Sequence, residues 1–264
     1  MLEASSEAVM ALVVSMAAAV SFTLQGRNMH APRSRCTPPR MCDKDATDDS
    51  ARWKSVLTDL NAAPVFAITD QQGNMLQQRE RDGQKLVVFY AAVDRAKDEL
   101  AAAKEGTLEA ELKLLPVGLG MAYDQVRQGQ GLIVPGFREI SAAQEMQVQA
   151  PEDAAAMLAG AGIESPIVQW KSEVVPLFGC FEMSRRRPDG SRFTPVFMSH
   201  ADAQAAFDKA RAANPEKTAN FEIDVVELPK LLELAVAGTA KVPPRVVPPS
   251  ESIQFIRELQ QQQQ

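Results

Sequence analysis

A series of short sequence blocks occurs twice in this chain, in the same order, and no other feature constrains the fold as strongly. The first series lies within residues 64–160 and the second within residues 176–260, with most blocks recurring about 110 residues later. The matched blocks are Pro64-Val65-Phe66 with Pro176-Leu177-Phe178, Val88-Phe89 with Val196-Phe197, Leu112 and Leu114 with Phe221 and Ile223, and Val148-Gln149-Ala150-Pro151 with Val246-Val247-Pro248-Pro249. The sequence therefore predicts an internal duplication whose copies each have the length of a small domain.

Helical periodicity separates the strand-like blocks in both copies. Apolar residues with helical spacing are Ala96, Leu100 and Ala103, then Leu119, Ala122, Tyr123 and Val126, matched by Ala203, Phe207 and Ala210, then Leu228, Leu231, Leu232 and Ala235. The last pair of blocks recurs at a shorter spacing, which predicts a longer connection within residues 127–147. Because each copy alone exposes edge strands, we expect one α+β body with pseudo-two-fold symmetry, in which a mixed sheet is flanked by helices.

Helices are also predicted at both ends of this body. Residues 49–61 form an amphipathic pattern, with Asp49 or Ser50 as the cap and an apolar face made of Trp53, Val56, Leu57 and Leu60. This face is a candidate docking surface for a membrane or a partner, and packing on the protein's own body is the alternative. Residues 250–260 predict the last helix, and residues 261–264 form a glutamine tail.

The N-terminal 48 residues have the composition of a targeting leader. Residues 8–20 form a short apolar run, which predicts a signal peptide over residues 1–21. Residues 22–42 contain arginines and no acidic residue, which is typical of a transit peptide, and an acidic linker continues to residue 48. The alternative is a disordered extension with a chance apolar run. The remaining residues, 49–260, are expected to form the single duplicated domain.

Few residues in the chain could support metal or nucleophilic chemistry. With two histidines and three cysteines in 264 residues, we expect no metal site, no cofactor, no catalytic residues and no disulfide framework. One candidate catalytic arrangement is a nucleophilic Cys180 with His200 as its base. The alternatives are a buried, inert thiol and a histidine at the start of a helix. A net charge of −6 argues against nucleic acid as the partner.

A cluster of arginines stands out on this acidic chain. Arg185, Arg186, Arg187 and Arg192 flank the sequence Pro188-Asp189-Gly190, which is a strong turn signal. The pattern predicts a basic hairpin tip. Such a tip is a candidate anchor for an anionic partner or a lipid surface, with a solvated loop as the alternative.

Taken in order, the blocks resemble one known family across residues 50–258. The pieces that carry the resemblance are the amphipathic helix before residues 64–70 with Gly73, residues 87–90 followed by Ala96 and Leu100, and residues 115–119, 175–178, 195–198, 225–228 and 247–252. They resemble the twenty-two-kilodalton Tic family, the soluble component of the chloroplast protein-import translocon. The bipartite leader is similar to those of algae with complex plastids.

The resemblance implies a function as well as a fold. It implies a non-enzymatic plastid import factor that binds or chaperones unfolded precursor proteins in the intermembrane space between translocons, by means of apolar grooves between the halves. The implied partners are precursors and translocon components, with no nucleic acid, no transmembrane segment and a peripheral association with the membrane. The alternative is a soluble accessory or scaffold subunit of another plastid complex, such as a photosynthetic one.

Overall fold

The computed structural model describes residues 44–81, 84–106, 111–149, 174–219, 221–240 and 242–262. The first part comprises α1 (Lys44–Leu60), β1 (Pro64–Thr69), β2 (Gln77–Arg81), β3 (Gln84–Tyr90), α2 (Val93–Gly106), β4 (Lys113–Gly118), α3 (Leu119–Arg127), β5 (Gly131–Val134) and α4 (Phe137–Gln149). The second comprises β6 (Pro176–Gly179), β7 (Arg185–Arg186), β8 (Arg192–Phe197), α5 (His200–Ala213), β9 (Asp224–Glu227), α6 (Leu228–Ala237), β10 (Pro244–Val247) and α7 (Ser250–Gln262). None of the described helices is long and apolar enough to cross a membrane.

Both terminal helices are longer than the sequence pattern predicted. Helix α1 begins at Lys44, so the expected caps Asp49 and Ser50 lie inside it. Helix α7 continues to Gln262, because glutamine is a good helix former. The predicted signal peptide, residues 22–43 of the transit-like leader and residues 151–160 of the first copy lie outside the described residues.

The second half repeats the strand pairing of the first. In the first half, β3 pairs antiparallel with β1 and β2, β1 pairs antiparallel with β4, and β5 runs parallel to β3. In the second half, β8 pairs antiparallel with β6 and β7, β6 pairs antiparallel with β9, and β10 runs parallel to β8. The α+β architecture is as expected from the sequence, and the order of helices between the strands is also the same.

The strands form two five-stranded mixed sheets, whereas the sequence analysis expected one sheet shared by both halves. The difference follows from burial. Every residue of β1 and every residue of β6 is buried, so each sheet has two apolar faces to cover. Layers packed on both faces satisfy this requirement, and joining the two sheets edge to edge does not.

Two of the predicted block correspondences are wrong. Val134 pairs with Tyr90 as Val247 pairs with Phe197, so residues 131–134, and not 148–151, correspond to the segment at 244–247. The sequence analysis missed β5 because glycines precede it: Gly129 adopts φ of 71° in a tight turn, and the strand starts two residues later. With this correspondence the two copies have similar spacing, and the longer connection predicted within residues 127–147 is absent from the described residues 127–147.

The second error is a shift of one residue in β8. Tyr90, and not Phe89, corresponds to Phe197, because each is the partner of the last valine of its parallel neighbour. Burial agrees with this register: Phe89 and Val196 belong to the central core, while Tyr90 and Phe197 lie in the two outer clusters. A shift of one residue moves every side chain of a strand to the other face, which is why the distinction matters.

One hydrophobic cluster joins the two halves at the centre of the molecule. It contains Val65, Ala67 and Phe89 from the first sheet and Leu177 and Val196 from the second. Helices α1, α3 and α6 complete it with Leu60, Leu119, Ala122, Tyr123, Leu228, Leu231 and Leu232. The apolar groove expected between the halves is therefore occupied by a packed core in the described part of the chain.

The outer face of each sheet is covered in part by a helix from the other half. Ile256 of α7 is buried among residues of β1, β3 and α2, and Phe255 packs edge to face on Phe66 at 5.7 Å. In return, Ala143 of α4 is buried with Phe178 and neighbouring side chains of the second half. The last helices of the two halves are thus exchanged.

A hydrogen-bonded joint holds α7 in this exchanged position. Ser199 caps α5, since its hydroxyl oxygen accepts a hydrogen bond from the Asp202 backbone N–H at 3.3 Å. The Asp202 carboxylate does not bond back to Ser199. It accepts hydrogen bonds from the Ser250 backbone N–H and hydroxyl, both at 2.7 Å, and so ties the first turns of α5 and α7 together.

Candidate functional surface

The predicted basic hairpin is present, and its four arginines are exposed. Strands β7 and β8 pair Arg185 with Phe193 and Arg186 with Arg192. The turn between them closes with hydrogen bonds from the Arg187 N–H to Ser191 and from the Gly190 N–H to Arg187. Gly190 has φ of 86°, a conformation that favours glycine, so the Pro-Asp-Gly signal has a direct structural cause.

The only acidic residue of this turn is held charged. Hydrogen bonds from Ser191 lower the pKa of Asp189 below its ordinary value, and the Arg187 charge adds to the effect. Asp189 is therefore ionised at neutral pH and offsets part of the arginine charge. Four guanidinium groups against one carboxylate leave the tip strongly positive.

The sequence analysis missed two residues that belong to this surface. Arg187 lies over the Phe193 ring at 5.5 Å, and Arg245 of β10 lies over the same ring at 5.6 Å. Phe193 reads as an ordinary strand residue, and Arg245 is distant in sequence within a proline-rich segment. Only the parallel pairing of β10 with β8 brings Arg245 to the hairpin.

The apolar face of α1 packs on the protein's own body. Leu60 is buried in the central core, and Trp53, Val56 and Leu57 are half-buried against it. Arg127 of α3 lies over the Trp53 ring at 4.2 Å. This packing is the alternative that the sequence analysis gave for the helix, and Trp53, Val56 and Leu57 remain partly exposed.

Helix α1 approaches α3 closely because two glycines permit it. A Cβ at Gly120 would overlap the Leu57 backbone carbonyl, and one at Gly118 would overlap the Asn61 side chain. Asn61 uses this proximity, since its Oδ1 accepts a hydrogen bond from the Met121 N–H at 2.9 Å and so satisfies one of the unpaired donors at the start of α3.

Cys180 and His200 have separate partners. The Cys180 thiol is buried and donates to Glu182 Oε2 at 3.2 Å, while the His200 ring packs on Phe178 with 5.1 Å between centroids. Burial, followed by the hydrogen bond to Glu182, raises the pKa of Cys180 to about 11. A thiol with this pKa is protonated at neutral pH and is a poor nucleophile.

We therefore expect slow alkylation of Cys180 in the folded protein. In a chain carrying Cys36→Ser and Cys42→Ser, iodoacetamide at pH 8 should react with folded Cys180 about 100-fold more slowly than with the same residue in urea, because the thiolate fraction is lower by that factor. Mass spectrometry of the alkylated fraction over time measures both rates. Equal rates in the two conditions contradict the buried, protonated thiol.

Among the residues that the structure describes, four large apolar side chains are exposed at scattered positions, and the sequence analysis did not single them out. They are Met121, Phe137, Phe181 and Leu234, with exposures between 44% and 63%. Met121 and Leu234 lie on the outer sides of α3 and α6, whose inner sides face the central core.

Known proteins match this chain in structure but not in sequence searches. No family model matches the sequence, and no curated protein matches it. The structure of Anabaena Tic22, described with the words "protein transport", matches with a TM-score of 0.58 and 19% identity, over 78% of this chain and 96% of that one. Tic22 from Plasmodium falciparum matches with a TM-score of 0.57 and 15% identity, over 78% of this chain and 97% of that one.

This chain has the Tic22 fold. Nearly the whole length of both known chains has a counterpart here, so the paired halves account for almost all of the Tic22 fold. The two halves with the same strand pairing, the central core and the exchanged helices are the framework on which the basic hairpin is mounted.

Proposed function

We propose that this chain belongs to the twenty-two-kilodalton Tic family and acts as a non-enzymatic plastid import factor. In this role it binds unfolded precursor proteins in the intermembrane space of the envelope. The observation that carries the proposal is the match to Tic22 structures along 96% and 97% of their lengths, one of which is described as a protein-transport structure. The protonated, buried Cys180 thiol supports a role without nucleophilic catalysis.

The surface chemistry suits weak binding of an unfolded chain. An unfolded precursor exposes apolar side chains, and separate apolar positions such as Met121, Phe137 and Leu234 offer several small contacts in place of one deep groove. The net charge of −6 attracts a basic targeting segment at distances up to the Debye length, about 8 Å in physiological salt. Contacts of this kind allow release without a nucleotide.

Site-specific crosslinking to an arrested precursor tests this function. A photo-reactive amino acid is placed at one of four exposed apolar positions, Met121, Phe137, Phe181 or Leu234. During import arrested in isolated plastids, at least one of these positions should crosslink to the precursor, because the unfolded chain contacts them directly. The same probe at exposed polar positions, Gln204 and Lys217, serves as the matched control.

Two outcomes contradict the import function. One is the absence of precursor crosslinks at all four apolar positions while the tagged protein is correctly located. The other is stable, stoichiometric co-purification with a single plastid complex, which supports the accessory-subunit alternative. Protease protection of the intact and outer-membrane-ruptured organelle gives the compartment in the same preparation.

A further inference from the structure

The hairpins at equivalent positions in the two halves carry different charges. In the β2–β3 hairpin the register places Glu80 opposite Lys85, whereas in the β7–β8 hairpin it places Arg186 opposite Arg192. Opposite charges facing each other across an antiparallel pair stabilise it, and like charges destabilise it. The equivalent register position of the first hairpin does not hold two like charges, so the fold itself does not require the arginine pair.

The β7–β8 hairpin extends past its parallel neighbour. Strand β7 pairs with Arg192 and Phe193, whereas β10 begins to pair only at Thr194. Among the strands of the described residues, no third strand therefore pairs with the outer end of the hairpin. Successive side chains alternate between the faces of a strand, so Arg185 and Arg186 point to opposite sides and the positive charge surrounds the tip.

Contacts at the base of the tip orient two further guanidinium groups. Arg187 and Arg245 both lie over the Phe193 ring, at 5.5 and 5.6 Å. Stacking on an aromatic ring restrains a planar guanidinium, and the N–H groups at the edge of the exposed Arg187 guanidinium suit phosphate oxygens. Within the part of the chain that the structure describes, Arg185, Arg186 and Arg192 form no ion pair with a carboxylate.

We propose that the tip of the β7–β8 hairpin, formed by Arg185, Arg186, Arg187 and Arg192 with Arg245 at its base, binds the surface of an anionic lipid bilayer through the phosphate groups of its lipids. A convex tip with charge on both faces matches an extended layer of phosphates better than it matches one small anion, which needs an enclosing pocket, or one face of a protein. This inference goes beyond the import function and does not depend on it.

Vesicle co-sedimentation with the full chain tests the lipid site. The chain is mixed with phosphatidylcholine vesicles, or with vesicles containing 40% phosphatidylglycerol, at about 50 mM and about 500 mM NaCl. We expect stronger binding to phosphatidylglycerol vesicles at low salt and loss of this difference at high salt. Arg186→Glu removes two units of positive charge, which should weaken the binding about 25-fold, or about fivefold per charge.

The choice of variants separates the tip from the rest of the chain. Arg186→Glu replaces a like-charge pair with an opposite-charge pair across the two strands, so the variant should fold with an unfolding temperature no lower than that of the unchanged protein. Lys209→Glu makes the same change of charge on an exposed face of α5 and should alter binding less than threefold. Any lipid affinity of the apolar residues 8–20 is common to all three proteins and cancels in the comparison.

Three results overturn the proposal. The first is equal binding of the unchanged chain and Arg186→Glu to phosphatidylglycerol vesicles at low salt. The second is binding that does not distinguish phosphatidylglycerol from phosphatidylcholine vesicles. The third is competition by inorganic phosphate that exceeds the effect of chloride at the same ionic strength, which indicates a discrete anion site.

Discussion

Replacing Gly120 with alanine is expected to destabilise the protein by about 3 kcal/mol, because overpacking against a rigid neighbour costs typically 1–3 kcal/mol and more when backbone must move. The added Cβ overlaps the backbone carbonyl of Leu57, so α1 has to shift away from α3. That shift also weakens the hydrogen bond from the Met121 N–H to Asn61 and the contact of Arg127 with Trp53. Thermal unfolding should show a melting temperature lower by about 6–12 °C.

Whether Gly120→Ala destabilises or stabilises the protein distinguishes close packing from helix propensity. In an exposed helix interior the same replacement stabilises by about 1 kcal/mol, because alanine is the better helix former. The neighbouring replacement Met121→Ala, at a side chain that is 44% exposed, is the matched control and should change stability by less than about 0.5 kcal/mol. A Gly120→Ala protein that melts at the same or a higher temperature contradicts the close packing of α1 on α3.

The sequence predicted the elements whose signal is local. The turn after β1 has a signal of this local kind, since the Asp70 carboxylate accepts hydrogen bonds from Asn74 and Gly73 adopts φ of 86°. The Pro-Asp-Gly hairpin was predicted because its turn signal is local, and the cap at Ser199 depends on equally local residues. In each case a few adjacent residues determine the backbone conformation by themselves.

Features that depend on distant residues could not be predicted in this way. Strand β5 is only four residues long, and its identity depends on parallel pairing with β3, more than 40 residues earlier in the sequence. The exchange of α4 and α7 has no local signal, because an amphipathic helix shows which face is buried but not which sheet covers it. The prediction of one shared sheet failed for the same reason.

For the candidate surface, the sequence identified the four arginines of the tip but not their surroundings. The contribution of Arg245 depends on the register of β10 against β8, and the comparison with Glu80 and Lys85 depends on knowing that the two hairpins are equivalent. The exposed side chains Met121 and Leu234 are not distinguishable by residue type from the buried apolar residues beside them. Only the packed structure separates the two groups.

Removing α7 is expected to cause the largest loss of stability among these variants. The loss should appear in the first half of the molecule, although α7 belongs to the second half. A chain that ends at Pro249 loses Ile256, which is 2% exposed, and the Phe255 ring that packs on Phe66. Removing one buried Ile side chain costs about 2–5 kcal/mol and Phe255 adds to this, which is comparable with the total stability of many domains. We therefore expect the first sheet to lose its packing although its own sequence is unchanged.

Milder variants keep this prediction testable if the shortened chain does not fold. Ile256→Ala removes the buried side chain alone and should destabilise the protein by about 2–4 kcal/mol. Gln254→Ala, on the exposed side of the same helix, is the matched control and should have an effect of less than about 0.5 kcal/mol. Both variants shorten one side chain of α7, but only Ile256→Ala removes a side chain that is buried against the first half.

Amide hydrogen exchange of β1 in Ile256→Ala tests most directly whether each half completes the core of the other. If α7 covers the first sheet, the amides of residues 65–68 should exchange about 30-fold or more faster than in the unchanged protein, in proportion to the lost stability, while Gln254→Ala leaves them unaffected. Unchanged protection of β1, with faster exchange confined to β6, β8 and α5, would contradict the exchange of helices between the halves.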